Sequence, residues 1–494
     1  MRIVVFIFFL VSQTCLGQGL NSHWLIGDDP GNNTKGHFIF NDTSYVFNVE
    51  TRKIPFRYTE GNISDEQGNL LMSSNGVWIA NVTGDTMLNG SGLNPGPLSS
   101  NDGLMIPNAN VFLPFPGDSN KYILLHHTGT PNGSYLPAQE LLYSVIDKTL
   151  GGGLGEVISK NDTAFADTLG WGIGTCKHAN GRDWWAVMLK DNSDVIFKIL
   201  IDSTGIASIS SQNLGLLPNP IGNVTQPIFS PDGKKFACSV TYGGANPYHD
   251  VRIFDFDRCN GSFSNGILFN ISDSMIGLGL AFSSNSKLLY ATSVLNVYQI
   301  NLDSTQGSVS ASLVAQCDTF FSPSPPFLTN FDLMYLAANG KIYIASSNSV
   351  LHMHYINHPD TLGDSCDVKQ HDIYMGVFNF RTVPFHPNYY LGCDTTSGCP
   401  CLATTLSEIE KQNFNFSISP NPSNGNIKLM YILPQNKNGT FQIFDINGKA
   451  VYSQNLPQWS TLQNIDVSFL SPGVYSCQIN SNNFLVSKKL VVIR

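Results

Sequence analysis

Short alternating segments separated by tight turns run through most of this chain. In Phe229–Val240, the apolar residues Phe236, Cys238 and Val240 alternate with small residues, which is the period of a half-buried strand. The Pro-Asp-Gly triplet at 231–233 favours a turn, because proline fixes φ and glycine accepts a positive φ. This phrase therefore predicts a strand, a turn and a second strand.

The same phrase recurs along the chain. Its other copies are Ser64–Ser73, Pro116–His126, His178–Val187, Phe282–Ser293 and Leu336–Ser346. The predicted turns lie at Gly68, Ser119, Gly181, Gly233, Ser286 and Gly340. A spacing of roughly 50–60 residues suits one four-stranded propeller blade with long loops. We therefore predict an all-β fold with a β-propeller over residues 20–392. Seven blades are preferred, with N- and C-terminal strands sharing one blade, and six are the alternative.

The character of the chain changes after the predicted propeller. Residues 393–414 are poor in aromatic side chains and contain the one plausible helical stretch, Leu402–Asn413, so we interpret them as a linker. From Asn415 to Arg494, seven short alternating segments with Pro and Gly at their corners predict a small Ig-like β-sandwich.

The first residues have the pattern of a secretion signal. Arg2 precedes the apolar run Ile3–Val11, and small residues follow, so we predict a signal peptide over residues 1–17 with cleavage between Gly17 and Gln18. Cys15 leaves a lipoprotein anchor as the alternative. The apolar run is too short to span a bilayer, and no integral membrane span is predicted.

The charge of the chain argues against one class of partner. Its 494 residues carry a formal net charge of −9, and only 13% are Asp, Glu, Lys or Arg. A nucleic-acid partner requires a basic face that replaces phosphate counterions. We therefore predict no nucleic-acid binding.

The C-terminal segment carries four motifs in order: Ser419–Gly425, Ile443–Lys449, Leu470–Tyr475 and Lys488–Val492. With them, this segment is closely similar to the type A C-terminal sorting domain of the type IX secretion system of Bacteroidetes. The resemblance implies export, recognition by the outer-membrane translocon, and removal of the domain by a surface sortase. It implies a secreted or cell-surface location and no catalysis. The implied sorting-signal residues are Pro420, Asn421, Pro422, Gly425, Gly448, Lys449, Gly473, Val474, Tyr475, Lys488 and Lys489.

The propeller segment resembles a second Bacteroidetes group. The matching phrases include Trp24–Gly27, Ile63–Leu71, Lys177–Trp185, Phe229–Lys234 and Pro387–Gly392. They are similar to PD40/WD40-like propellers of gliding-associated surface proteins that open with Trp-aromatic-Phe-Gly, although the opening phrase here departs at two positions. The resemblance implies a fold and a location, and it implies no established reaction.

Two groups of side chains suggest metal binding. His352 and His354 lie two apart on a predicted strand, with His358 four residues further, so they are either ligands or ordinary histidines. Asp255 and Asp257 could bind calcium, but the Gly and Glu of an EF-hand loop are absent. We predict neither site, and no cofactor.

The cysteines leave several alternatives open. Cys393, Cys399 and Cys401 form one irregular cluster, which could hold a disulfide, free thiols or a metal. Cys238 and Cys477 fall on predicted strands, so we interpret them as buried small hydrophobic residues.

The remaining candidates have structural explanations. Trp184 and Trp185 fit blade packing better than a sugar-stacking platform. His126 and His127 face opposite sides of their strand, so they cannot share one ion without distortion. His178 precedes a turn and is expected to bond to neighbouring backbone or to Asp183.

No Gly-x-Ser-x-Gly or His-Glu-x-x-His motif is present, and no catalytic residue is predicted. We therefore favour a cell-surface binding or scaffold protein whose ligand is a glycan, a peptide or another surface protein. The alternative is a secreted polymer-degrading hydrolase or lyase with its site in the central channel. The side chains that line that channel distinguish the two functions.

Overall fold

The computed structural model describes residues 19–493 except 30, 42–43, 98, 101–102, 130–137, 216–222, 243–247, 272–276, 304–310, 324–325, 403–414, 434–437, 447, 458–461 and 482–483. The predicted signal peptide, with Gly17 and Gln18, lies outside the described residues, as does nearly all of the predicted helical stretch Leu402–Asn413. The chain divides into two compact units, Met1–Cys401 and Leu402–Arg494.

The described part of the first unit contains strands and three short 3-10 helices. The helices are Gly19–Asn21, Gly151–Gly153 and Gly363–Cys366. The strands are β1 (His23–Ile26), β2 (Thr34–Phe40), β3 (Tyr45–Thr51), β4 (Gly61–Ser64), β5 (Leu70–Ser74), β6 (Trp78–Asn81), β7 (Thr86–Ser91), β8 (Ser99–Ser100), β9 (Gly103–Leu104), β10 (Asn110–Pro114), β11 (Lys121–Gly129), β12 (Ala138–Asp147), β13 (Glu156–Leu169), β14 (Gly174–Lys177), β15 (Trp184–Leu189), β16 (Val195–Asp202), β17 (Gly205–Asn213), β18 (Asn223–Phe229), β19 (Lys235–Tyr242), β20 (Tyr248–Asp257), β21 (Ser262–Asn270), β22 (Leu280–Phe282), β23 (Leu288–Thr292), β24 (Asn296–Asn301), β25 (Ala311–Gln316), β26 (Phe321–Ser322), β27 (Phe327–Leu328), β28 (Met334–Leu336), β29 (Ile342–Ile344), β30 (Val350–Ile356) and β31 (Val368–Asn379).

These strands form antiparallel meanders that we name as blades in chain order. Blades 1 to 6 are β4–β7, β10–β13, β14–β17, β18–β21, β22–β25 and β28–β31, and blade 7 is the three-stranded sheet β1–β3. Blades 1 and 2 join through one parallel bridge between Leu88 and Glu156 on their last strands. The described residues therefore form six four-stranded blades and one of three strands.

The recurring phrase is the hairpin between the first and second strands of a blade. All six predicted turns lie at that position, one in each of blades 1 to 6. The amide of Gly233 donates to the carbonyl of Ser230 at 2.8 Å, and that of Gly340 to Ala337 at 3.0 Å. Gly233 has φ 70°, the region in which a Cβ is disfavoured. Local sequence therefore determines these turns.

Adjacent blades pack face to face around a circle. Trp185 of blade 3 packs with Phe236 of blade 4, and Trp24 of blade 7 with Tyr343 of blade 6. The other face of blade 7, through Leu25, packs against blade 1. Blade 7 therefore lies between the last and the first of the other blades. The predicted all-β propeller is confirmed, with seven blades in the described residues.

The predicted sharing of one blade between N- and C-terminal strands is wrong in its detail. Within the described residues, blade 7 contains only N-terminal strands, with Trp24 paired to Phe38. The end of β31 meets blade 7 without forming a ladder, since the amide of Asp28 donates to the carbonyl of Phe378 at 3.0 Å, and residues 380–391 that follow add no strand to blade 7. The reason is that this C-terminal segment is bonded by its side chains, as described below.

The second unit is a small sandwich of seven strands in its described part. They are β32 (Asn415–Ser419), β33 (Asn426–Ile432), β34 (Gly439–Phe444), β35 (Ala450–Leu456), β36 (Leu462–Asp466), β37 (Gly473–Ser481) and β38 (Phe484–Val492). One sheet has the order β32-β33-β36 and the other β35-β34-β37-β38. Their inner faces bury one core that includes Phe441, Ile479 and Cys477. The predicted sandwich is confirmed.

Among the described residues, no helix has the length and apolar character needed to cross a membrane.

Candidate functional site

The channel at the centre of the blades contains residues 380–391, which we name the closing segment. The Nε2 of His386 lies 3.0 Å from the carbonyl of Asn62 in β4. The Tyr389 hydroxyl donates to the carbonyl of Phe112 in β10 at 2.9 Å. First strands expose one edge that no other strand of the blade covers, so these bonds satisfy backbone groups that face the channel.

Further contacts reach the remaining side of the circle. Lys177 of β14 donates through Nζ to the carbonyl of Tyr389 at 2.9 Å. Asn388 donates to the carbonyl of Pro231 at 2.8 Å, and the hydroxyl of Tyr335 donates to the carbonyl of His386. The closing segment therefore bonds to five different blades.

The two central side chains of this segment are neutral. Burial lowers the pKa of His386 to about 4, so its imidazole is uncharged near pH 7. Its Nε2 faces a carbonyl oxygen and therefore carries the proton. Burial also raises the pKa of Tyr389 well above its usual range. These two side chains thus offer hydrogen bonds and apolar surface without a charge of their own, and the charged group that bonds to their backbone is Lys177.

Glu60 is the buried carboxyl group next to these residues. It is 1% exposed, and it accepts a hydrogen bond from the side-chain Nδ2 of Asn62 at 2.8 Å. Burial raises its pKa well above the usual range, against weaker opposite effects of the Asn62 and Leu25 hydrogen bonds. Burial therefore disfavours the ionised form of the Glu60 carboxyl group, which packs beside the closing segment.

A small cavity remains where the closing segment reaches the first-to-second-strand turns. Its volume is about 160 Å³. Neutral residues of blades 3 to 6 and of the closing segment line it, among them Thr175, Cys176, Ser230, Phe282, Tyr335 and Leu391. Such a lining does not compensate a buried ligand charge.

At the opposite end, two arginines and two aromatic rings surround the start of the closing segment. The Arg57 guanidinium lies 4.9 Å from the Phe380 ring centroid, and that of Arg381 lies 5.9 Å from the Tyr58 ring. Arg381 forms an ion pair with the buried Asp332 at 2.6 Å. Burial raises the pKa of Asp332 to about 6, against the effect of Arg381. Tyr58 and Arg381 have φ values of 66° and 56°, which are strained for such residues.

The candidate histidines do not converge on one point. His354 is fully buried and accepts through Nδ1 from the His371 amide at 2.9 Å. His352 lies 3.3 Å from the Ser322 hydroxyl, and His358 bonds to Asn357. No group of three or more His, Cys, Asp or Glu among the described residues could hold a metal ion.

The candidate aspartates also have separate partners. Asp255 pairs with Lys235 at 2.9 Å, whereas Asp257 accepts from the Cys259 amide at 2.7 Å. His178 accepts through Nδ1 from the Asn180 amide, one of the neighbouring-backbone bonds that we expected.

The tryptophans and histidines expected to be structural are buried. Trp184 and Trp185 are 1% and 6% exposed, as expected for blade packing. His126 bonds to Asn94 and Ser144, while His127 is buried beside it.

The cysteine cluster forms two disulfides. Cys393 joins Cys401 locally, and Cys399 joins Cys259, which is 140 residues away in blade 4. The sequence indicated the local alternative and could not indicate the distant partner. Cys238 and Cys477 are buried free thiols, as predicted.

Several residues of the predicted sorting signal support the last strand of the sandwich. Asn421 lies between Pro420 and Pro422; its side chain donates to the Lys489 carbonyl at 2.7 Å and accepts from the Val491 amide at 2.8 Å. The proline-rich turn is therefore fastened to β38.

The other residues of that signal lie at turns or on exposed strand positions. Gly448 has φ 75° in the turn that Lys449 closes onto Asp445. Gly425 has φ 154° and accepts from the Val467 amide at 2.7 Å. Gly473 starts β37, Val474 is 52% exposed, and the Tyr475 hydroxyl bonds to Ser471. Lys488 reaches over the Phe416 ring.

Sequence reasoning missed the channel residues. Glu60, Arg57 and Arg381 stand next to strands, without a motif that marks them. The one available signal was the phrase Pro387–Gly392, which lacks strand alternation although it belongs to the propeller segment.

Residues 417–493 match the family model described as a secretion system C-terminal sorting domain. The C-terminal unit is therefore similar to secretion-system sorting domains. A sorting domain of the type IX system indicates export, so the chain is directed to the cell surface or the extracellular space. The match lies within the second unit.

Solved structures resemble the chain only distantly. A candidate 6-phosphogluconolactonase from Bacteroides fragilis is 14% identical, with a TM-score of 0.41, and the match covers 76% of this chain and 98% of that one. The periplasmic gluconolactonase of Pseudomonas aeruginosa is 13% identical, with a TM-score of 0.34 and coverages of 78% and 94%. Hydrazine synthase of Kuenenia stuttgartiensis is 15% identical, with a TM-score of 0.37 and coverages of 68% and 96%. Likenesses at this level carry no argument about activity. The comparison with curated proteins found no match.

Proposed function

We propose that this chain is a cell-surface binding or scaffold protein that holds its ligand on the outside of the propeller. The observation that carries the proposal is the closing segment, which bonds to five blades and fills the channel with Phe385, His386 and Tyr389. A polymer-degrading enzyme of the alternative kind would need an open channel. Burial raises the pKa of Glu60 and lowers that of His386, so it disfavours the ionised forms that an acid–base pair would use at that position.

Export by the type IX system is the second part of the proposal. Residues 1–17 act as the signal peptide, 20–392 as the binding propeller, 393–414 as the linker and 415–494 as the sorting domain. The translocon recognises this sorting domain, and the surface sortase removes it. Support comes from the two hydrogen bonds between the Asn421 side chain and the backbone of β38. They hold the proline-rich turn against the last strand, so that the translocon can recognise both together.

The export step is tested by deleting the sorting domain. A chain without residues 415–494 should remain in the periplasm, measured by protease accessibility on intact cells. Asn421→Ala should reduce display, whereas Asn464→Ala, at an exposed position of β36, should leave it normal. Normal display of the truncated chain would contradict the assignment.

The binding role is tested with the full chain on glycan and peptide arrays, alongside assays for cleavage of soluble polysaccharides and proteins. We expect saturable binding of one ligand class without turnover. Release of new chain ends from a polymer would instead establish the enzyme alternative.

A further inference from the structure

The outer side of blade 7 differs from that of the other blades. Among the described residues, blades 1 to 6 each have four strands and blade 7 has three, so its outermost strand is β3. No described strand pairs with the outer side of β3, which we name the open edge. Val46 and Val49 on this strand are 54% and 53% exposed.

The outermost strands of the other six blades are all irregular. Each pairs with its neighbour through at least one register shift, which indicates a β-bulge or a similar irregularity. Four of these strands also contain a residue with a positive φ, namely Asn89, Asn161, Asn265 and His371. Bulges twist an edge away from a straight partner strand, and this is one way in which proteins prevent edge-to-edge pairing.

Strand β3 has none of these protections. Its seven residues, all of which the structure describes, pair with β2 in one unbroken register. It contains no proline, no lysine and no residue with a positive φ. Its one charged residue, Glu50, is bonded within the blade to His37 at 2.9 Å. A regular edge of this kind can accept a further strand.

The backbone of β3 presents hydrogen-bonding groups at the open edge. In the ladder with β2, the Asn41 amide donates to the Ser44 carbonyl at 3.1 Å, and the Arg52 amide donates to the Asn33 carbonyl at 2.8 Å. Bonded and non-bonded pairs alternate in an antiparallel ladder, so every second residue from Ser44 to Arg52 bonds toward β2. The residues that direct their amide and carbonyl groups to the open edge are therefore Tyr45, Phe47, Val49 and Thr51.

The sequence of β3 is complementary to itself in the antiparallel direction. Two copies can pair with Asn48 opposite Asn48. Phe47 then lies beside Val49 of the second copy, and in the same register Tyr45 lies beside Thr51. Both are pairs of an aromatic and a β-branched residue, which stabilise neighbouring strands, and the two-fold axis produces each pair twice. In this register the outward amide and carbonyl groups of the two strands all find partners.

Like charges do not meet in this register. Glu50 lies opposite Val46 of the second copy. Its carboxylate keeps its partners within the blade, because His37 and Arg52 both bond to it. A pairing centred on Glu50 would instead oppose two carboxylates. The charge pattern therefore favours the pairing centred on Asn48.

The neighbouring blades leave the open edge accessible. Val46 and Val49 lie on opposite faces of β3, because successive odd and even positions of a strand face opposite sides. Each is more than half exposed, so neither blade 6 nor blade 1 covers this part of the strand.

We propose that β3 of one copy pairs antiparallel with β3 of a second copy, which joins the two blade 7 sheets into one sheet of six strands. A strand from another protein would need the same match to Phe47 and Val49, whereas a second copy already contains it. The contact involves one strand on each side, so it forms a small and reversible interface. This self-association goes beyond the binding function proposed above and does not depend on its ligand.

The test measures self-association of the full chain by sedimentation velocity from about 1 μM to about 1 mM. We expect a monomer–dimer equilibrium with a Kd on the order of 100 μM, as for a small transient interface. Val49→Lys places a charge beside Phe47 of the second copy and should weaken association by about tenfold or more. The matched control is Leu313→Lys, at a 52% exposed position of the irregular outer strand of blade 5, and it should associate as the parent chain does.

Two further variants test the register. Asn48 is exposed, and it lies opposite its own copy in a non-hydrogen-bonded pair, in which the Cα atoms are about 4.5 Å apart. This distance suits a disulfide, so Asn48→Cys should form a covalent dimer under mild oxidation. The parent chain, whose described free cysteines are buried, should not. Val46→Lys places an ammonium group opposite Glu50 of the second copy and should strengthen association, whereas a non-specific apolar contact would be weakened.

The outcomes decide the proposal. A parent chain that stays monomeric at the highest concentration overturns it, and so does a Val49→Lys chain that associates as tightly as the parent. A dimer that Asn48→Cys does not trap uses another surface and also overturns it. Unchanged thermal unfolding of each variant shows that blade 7 is intact. Ligand binding by a monomeric Val49→Lys chain would leave the function proposed above in place.

Discussion

Tyr389→Phe tests how the closing segment is held. Tyr389 is 2% exposed, and its hydroxyl donates to the Phe112 carbonyl at 2.9 Å. The substitution keeps the ring and its packing, and removes one donor from a buried acceptor. An acceptor left unsatisfied costs about 1–3 kcal/mol, and we expect the free energy of unfolding to fall by that amount.

The assay is urea unfolding followed by tryptophan fluorescence. Trp184 is a local reporter, because its ring centroid lies 5.9 Å from that of Tyr389. The midpoint should move to lower urea with an unchanged slope, since the surface exposed on unfolding stays the same. Tyr374→Phe, at a 63% exposed position, is the control and should stay within about 0.5 kcal/mol of the parent.

A Tyr389→Phe midpoint equal to that of the parent chain would refute the reasoning. It would mean that the channel carbonyl has another donor, or that the closing segment leaves the channel in solution. Proteolysis of the parent chain that is faster within residues 380–391 than within the blades would point to the second explanation.

Three further predictions concern the propeller. Cys259→Ser opens a link to Cys399 over 140 residues and should lower stability by about 2–4 kcal/mol in urea; an unchanged midpoint would show that the link adds nothing. Burial raises the folded-state pKa of Asp332 to about 6, so the folded chain binds this proton more tightly than the unfolded chain does. The stability that the bound proton contributes is therefore full below pH 4 and is lost as the pH rises through 6. Asp332→Asn should remove about 3 kcal/mol of this pH dependence between pH 4 and 7, and identical pH profiles would contradict the shift. Gly279→Ala places a Cβ 2.2 Å from the Asp332 carbonyl oxygen and should severely reduce the yield of soluble protein. The control Gly392→Ala has open space around its Cβ and should give a normal yield. Equal yields of the two variants would contradict the close approach at Gly279.

Much of the fold was predictable because it is encoded locally. Alternation in Phe229–Val240 and the turn at Gly233 depend on neighbouring residues, so copies of the phrase identified six blades. Blade 7 was harder, because its first turn, residues 27–33, has a different sequence from the phrase. The seven short segments after Asn415 likewise indicated the sandwich strands, and their motifs indicated its role as an address.

The candidate sites were less predictable because their members are distant in sequence. Asn62, Phe112 and Lys177 belong to the first strands of three blades, yet all three bond to the closing segment, and no motif joins them. His352 drew attention as a possible metal ligand, yet its neighbours are aromatic rings and a serine hydroxyl. Side-chain neighbours follow from strand order and register, which alternation alone does not specify.

The sequence by itself determined the strands, the tight turns, the division into propeller and sandwich, and the sorting address. Only the tertiary structure decided that residues 380–391 occupy the channel, that Cys399 pairs with Cys259, and that Phe320 stacks on His371. The physical reason is that backbone conformation depends on adjacent residues, whereas these contacts arise only after the blades have closed into a circle.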